Sequence, residues 1–166
     1  MRRDELPPEP EECACLAIRQ AARRVTQFYD QYLAPAGLRT TQFSVLARLR
    51  QLGPMTINDL AARLVMDRTT LGRNILPLER DGLVRIVPGR SDRRRRELTL
   101  TEAGLERLRA AQGAWREAQA AFAGALGPVR AAGLRALLCD VAAAELPALD
   151  RQAPSQMQTE PDLQEE

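Results

Sequence analysis

This chain contains neither lysine nor histidine; each of its 24 basic residues is an arginine. Losing histidine removes the usual general base near neutral pH and the commonest metal ligand. A glycine-rich phosphate loop after a strand is absent as well, and no cysteine stands near a histidine. No catalytic residue, metal site or cofactor is therefore assigned, and an enzyme is not expected. The three cysteines, at positions 13, 15 and 139, are too few and too unevenly placed for a disulfide framework. Cys13-x-Cys15 without further ligands does not make a zinc site. Aromatic residues are only 4% of the chain, while Ala, Leu and Arg abound, which favours helices. No apolar run reaches the ~18 residues that a membrane span needs. The polar start MRRDELPPEPEE has no apolar signal segment, so the expected location is cytoplasmic, with reduced thiols.

What remains is enough for one domain with a real core. The formal net charge is only +2, yet it is unevenly spread. Residues 1–12 hold two arginines against five acids, and residues 151–166 one against four. Both segments are rich in Pro, Glu and Gln and read as disordered tails. By contrast, residues 68–96 hold nine arginines against three acids, more positive charge than the whole chain carries net. A basic focus on a near-neutral body suits a polyanion binder, although a charge run is more often just a solvated loop.

The neighbourhood of that focus decides between the two. Asp67 is placed to cap a helix in which Leu71, Ile75 and Leu78 form one apolar stripe. Thr69, Thr70, Arg73 and Arg80 lie on the opposite face. Pro77 removes one backbone bond, toward Arg73, without ending the pattern. Asp81-Gly82 stops the helix, Leu83–Val87 forms a β-branched strand, and Pro88-Gly89-Arg90-Ser91 is loop chemistry. Glu97–Leu100 alternates as the returning strand, leaving Arg93 to Arg96 at the tip. A polar-faced helix beside a cationic ribbon fits a duplex, with the helix in the major groove and arginine in the minor groove.

The flanks complete the unit. Cys13 to Leu33 has helical periodicity with more apolar positions than one stripe needs, until Pro35-Ala36-Gly37 breaks it. Thr40 or Thr41 is placed to cap a second helix with Phe43, Val45, Leu46 and Leu49 inward. Thr56 and Asp59 have capping-box spacing ahead of Ile57, Leu60, Ala61 and Leu64. With a turn at Val65-Met66, this short helix and the polar-faced one form a helix-turn-helix, and the ribbon makes it a winged helix. Thr101 opens a long helix and Pro128 another. Their apolar positions (Leu105, Leu108, Trp115, Phe122, Leu126, then Val129, Leu134, Leu137, Leu138, Val141) exceed what a winged helix needs for itself. Together with the first helix they suggest a dimer interface, the alternative being an enlarged monomer core.

The fragments GLRTTQFSVLARL, MTINDLAARLVMDRTTLGRNILPLERDGLV and SDRRRRELTLTEAG, in this order, resemble the MarR family of transcriptional regulators over residues 13–150. The last fragment is similar to the family's wing signature, an Asp-Arg-Arg followed by a strand ending Leu-Thr-x-x-Gly. The resemblance implies a mainly α fold with a small β-wing. A dimerisation helix would occupy residues 13–35, the winged helix-turn-helix 36–100, and further dimerisation helices 101–150. It also implies a homodimer, with a repressor's role the expectation, on a pseudo-palindromic double-stranded DNA operator. Carried over by position, Thr69, Thr70 and Arg73 match the recognition helix's contact residues, with Arg68 and Asn74 flanking them. Asp92 and Arg94 match the family's wing pair, in which the acid steadies an arginine that enters the minor groove. Arg90, Arg93, Arg95 and Arg96 complete the basic wing, as phosphate contacts or as a solvated loop. Asn74 has the further reading of a capping or core amide.

Two signals fit the resemblance. Many relatives release DNA on binding small aromatic acids; here Arg19 and Arg23 would pair the carboxylate, and Phe43 or Trp115 would form a wall. Surface or interface ion pairing is the plainer role for both arginines. Alternatively, Cys15 falls where peroxide-sensing members carry their reactive cysteine, fourteen residues before the matched Tyr29, although Arg19 replaces their tyrosine. A small hydrophobe in a helix is the plainer role for Cys15. Cys13 and Cys15 lie about 200° apart on a helix, which makes them poor disulfide partners. A non-specific DNA-architectural protein and a protein-binding module are the competing classes; the Thr69, Thr70 and Arg73 face separates the first, and retention on duplex the second.

Overall fold

In the computed structural model, residues 12–89 and 92–146 are described; the tails, save Glu12, and the wing's Arg90 lie outside them. Helix α1 runs from Ala14 to Leu33, and a short 3-10 turn over Ala34–Ala36 leads into α2, Thr40–Leu52. A two-residue strand β1, Met55–Thr56, precedes α3, Ile57–Arg63, and α4, Arg68–Arg80. Strands β2, Val84–Pro88, and β3, Arg96–Leu100, form the wing. Helices α5, Glu102–Leu126, and α6, Pro128–Ala143, close the described chain.

Local chemistry sets these boundaries. The side chains of Thr56, Asp67 and Thr101 each accept a hydrogen bond from a first-turn N–H of α3, α4 and α5, which satisfies donors the helix cannot. The start of α2 differs from the sequence expectation. Arg39 is its cap residue, and its N–H donates to Gln42 Oε1 at 2.8 Å. Thr40 sits inside the first turn instead, where its N–H and hydroxyl both donate to Asp30 Oδ1 of α1 at 2.7 Å. A carboxylate from one helix thus caps the next, which periodicity along one segment does not reveal.

The sheet has three strands in the order β1-β3-β2, all antiparallel. Met55 pairs with Leu98 and Thr56 with Glu97, while Ile86 meets Leu98 from the other side. Two residues carry no periodic signal, so β1 was absent from the sequence expectation. Its consequence is that β3 is central and Leu98 is 2% exposed. Leu98 shares one buried core with Leu71, Ile75 and Leu78 of α4, Leu46 and Leu49 of α2, Leu60 of α3 and Leu108 of α5. The positions on α2, α3 and α4 are the expected inward ones, so the winged helix buries its own apolar stripe. Leu108 and Trp115 of α5, expected at a dimer interface, belong to or pack against this core instead.

The join between wing and α5 is tight. The Thr101 hydroxyl donates to the Gly82 carbonyl at 2.7 Å and accepts from the Gly104 N–H at 3.0 Å. A Cβ at Gly104 would run into the Leu83 carbonyl oxygen and come within 2.8 Å of Leu100 Cδ1. Glycine is required there by contact. At the other end, Gly127 at φ 87° turns the chain by 107° from α5 into α6. No residue of α6 is buried; Val129 is 84% exposed and Leu137 65%. Among the described residues, no single helix is long and apolar enough to cross a membrane.

Candidate nucleic-acid interface

The α4 stripe facing the core leaves the opposite face in solvent. Arg68, Thr69, Thr70 and Arg73 are all exposed. Among the described residues, neither Arg68 nor Arg73 has a carboxylate within ion-pairing distance, whereas Arg80 pairs with Asp81 at 3.1 Å. The Asp67 carboxylate accepts the Thr70 N–H at 2.8 Å. Its pKa is held below the usual carboxylate range chiefly by the Thr70 hydroxyl, then by the Thr70 N–H. So Thr70 serves the cap, and Thr69 and Arg73 are the pair on this face without such a duty. Asn74 is half-buried, and its amide donates to the Thr70 carbonyl at 2.9 Å. That is the local backbone role foreseen as its alternative.

The wing tip is organised by Asp92, in a different way from the one expected. Asp92 Oδ1 accepts the backbone N–H of Arg94 at 2.9 Å, and the Asp92 carbonyl accepts the N–H of Arg95 at 3.0 Å. The Gly89 N–H closes the loop on the Arg95 carbonyl at 2.8 Å. The acid therefore steadies the backbone that carries Arg94, and no contact with the Arg94 guanidinium is made among the described residues. An Asp side chain reaching a backbone N–H two residues on is the ordinary Asx-turn geometry, and it wins over reaching a long flexible side chain. Arg93, Arg94 and Arg96 are exposed. Arg95 instead reaches Asp59 of α3, with 3.6 Å between its guanidinium and the carboxylate. Asp59 is held below the usual carboxylate range first by the Thr56 hydroxyl and further by Arg95 and Arg63.

The molecule therefore presents a helix face with a hydroxyl and two guanidinium groups, and a separate cationic turn at the wing tip. Guanidinium forks suit guanine edges and phosphates, and a hydroxyl accepts or donates to either.

The foreseen effector residues separate into two places. Phe43 and Trp115 stack with ring centroids 5.8 Å apart and 15° between planes. They line a cleft of about 490 Å³ between α2 and α5 with Ala47, Arg50, Gln51, Leu108 and Gln112. Arg19 and Arg23 are exposed on α1 and do not line it. The cation beside the aromatic wall is Arg50, two turns after Phe43 on the same helix face, a spacing that was present in the sequence. A second groove, about 820 Å³, lies between α1, the end of α5 and α6. Ile18, Val25, Phe122, Leu134 and Leu138 line it, with Cys139 at one wall. Cys13, Cys15 and Cys139 are all exposed thiols, and Cys13 caps α1 by accepting the Leu16 N–H at 3.4 Å.

Comparison with known proteins matches residues 38–95 to the model of the MarR family. The chain is 36% identical over 85 residues to the uncharacterized HTH-type transcriptional regulator YwoH of Bacillus subtilis, covering 51% of this chain and 61% of that protein. It is 41% identical over 71 residues to the transcriptional activatory protein BadR of Rhodopseudomonas palustris, covering 41% of each. The chain thus spans less than two thirds of either relative. Among solved structures, it is similar to the M. tuberculosis transcriptional regulator MosR in complex with DNA. That similarity has 40% identity and a TM-score of 0.70, over 80% of this chain and 95% of the other.

Proposed function

We propose, from the premise that the chain belongs to the MarR family, that it is a sequence-specific regulator of transcription which grips double-stranded DNA as a homodimer. The observation that carries this reading is the α4 face itself. Arg68, Thr69 and Arg73 stand in solvent, while the other side of the same helix is locked in the core. A protein needing only phosphate affinity would gain nothing from holding a hydroxyl and a guanidinium on a rigid, capped helix. In this reading residues 13–35 and 101–150 join two copies, and 36–100 read the duplex. A dimer seated on an operator excludes other proteins from the same duplex, which supports repression as the direct outcome. Half-sites about 34–36 Å apart follow from one turn of duplex between recognition helices.

Selection of bound sequences from a random duplex library tests this. A two-fold motif is expected, and Arg73→Ala should lose about 1–3 kcal/mol of discrimination at one base pair in each half-site. An equal loss on every sequence would instead support a non-specific architectural protein, and no retention of the wild-type chain on duplex at low salt would support a protein-binding module.

For the releasing signal, the Phe43–Trp115 stack beside Arg50 favours a small aromatic acid, its ring against the indole and its carboxylate on the guanidinium. The position of Arg50 makes it the better candidate than Arg19 or Arg23. Titration with benzoic and phenolic acids should weaken operator binding by the wild type and leave Arg50→Ala unaffected. Cys15, exposed with Arg19 one turn further on, supports the alternative of an oxidative switch. Unchanged operator affinity after stoichiometric hydroperoxide would remove it.

A further inference from the structure

We propose that Arg95 is a positioning residue, and that with Asp59 it clips the wing tip to the start of α3 and so fixes where Arg94 stands. This rests on the duplex-binding reading above. The fold itself brings the pair together. Strand β1 pairs Thr56 with Glu97, which sets the N-terminus of α3 beside the incoming end of β3, two residues after Arg95. Asp59 is already fixed when Arg95 arrives. Its carboxylate accepts the Thr56 hydroxyl at 2.6 Å, and its N–H donates to Thr56 Oγ1 at 3.2 Å. An ion pair with one partner held in place loses less side-chain freedom than a pair of loose chains. The backbone of Arg95 is equally committed, its N–H to the Asp92 carbonyl and its carbonyl to the Gly89 N–H. Three ties at one residue make it the anchor of the tip. Arg94, whose N–H is held by Asp92, is left with its side chain outward.

The pairing also settles an electrostatic conflict. Asp59 is an exposed acid next to the cationic wing tip, where it would repel phosphate. Arg95 at 3.6 Å neutralises it. A guanidinium used in this way releases no counterion from the duplex.

The test is operator affinity measured across a range of salt for the full-length chain. Arg95→Ala should weaken binding about three- to fivefold, the range of an exposed ion pair, with the slope of log affinity against log salt unchanged. Arg95→Asp should bind far more weakly, and the exchanged pair Asp59→Arg with Arg95→Asp should recover most of the affinity. If Arg95 instead contacts phosphate, the slope for Arg95→Ala falls by about one and the exchanged pair stays as weak as Arg95→Asp alone; either result overturns the clip. A readout without DNA separates the clip from the duplex reading. Asp59→Asn should speed hydrogen exchange at the Arg94 and Arg95 amides, and unchanged exchange there overturns the clip even if the wild type binds duplex well. A wild type that never binds duplex, with the exchange effect present, would remove the duplex reading alone.

Discussion

The winged helix and the α1–α6 arms differ in how they dispose of apolar surface. In the first, Leu71, Leu78 and Leu98 are almost wholly withdrawn from water, and each helix turns its stripe inward. In the second, the leading part of α1 and all of α6 bury nothing, although Ile18, Leu134, Leu137, Leu138 and Val141 line them. Both parts carry apolar residues on their helices, with opposite outcomes. A helix whose apolar residues stay in water within one chain has its partner elsewhere, because exposed apolar patches of this extent are rare on monomers. The winged helix is therefore complete in itself, and the proposed dimer assigns a second copy to the arms.

The strongest way to break that contrast is to charge the arm. Leu137→Asp with Leu138→Asp should give a monomer by sedimentation and lower operator affinity about 10²-fold or more, because two linked half-site contacts become two separate ones. Circular dichroism should show the winged helix still folded. Removing side chains from the core should behave in the opposite manner. Leu78→Ala should cost about 2–5 kcal/mol of stability, with little dependence on protein concentration. Leu137→Ala should shift stability by an amount that varies with concentration, as association linkage requires. Chemical denaturation at two concentrations distinguishes them.

A smaller effect sharpens the border between the two regions. Gly104→Ala should destabilise by about 1–3 kcal/mol, because the added methyl meets the Leu83 carbonyl and Leu100. The Leu-Thr-x-x-Gly ending of the wing thus has a physical basis: Thr101 ties α5 to the start of β2, and Gly104 lets the helix come that close. The smallest change concerns the turn between α3 and α4. Val65 lies there at φ 52°, 72% exposed, where a β-branched residue is strained and its side chain packs little. Val65→Gly should therefore raise the melting temperature, by about 1 kcal/mol in stability.

Much of this was legible in the residues. The stripe Leu71, Ile75, Leu78 and the cap at Asp67 gave α4 both its limits and its two faces, because helical period and capping are local properties. The exposure of Thr69, Thr70, Arg73 and Arg80 followed from the same period, whereas Arg68 entered only through the resemblance. What escaped was non-local. The two-residue strand β1 exists only by pairing with β3, and Asp30 caps α2 from another helix. Arg95 at the wing tip finds Asp59 on α3, 36 residues earlier. Arg19 and Arg23 were linked to Phe43 and Trp115 by residue type alone, whereas α2 presents Arg50 to that cleft. Asp92 was expected to hold the Arg94 guanidinium and holds the Arg94 N–H instead, since a nearby backbone donor outcompetes a mobile side chain.

The central claim is that two copies, joined by the arms, hold one duplex through paired α4 faces. Sedimentation of the full-length chain with a library-selected duplex tests it most directly. The account predicts a dimer without DNA and a complex of two chains per duplex, abolished together by Leu137→Asp with Leu138→Asp. A single chain bound tightly to one duplex, or a charged-arm variant that binds as the wild type does, would contradict it.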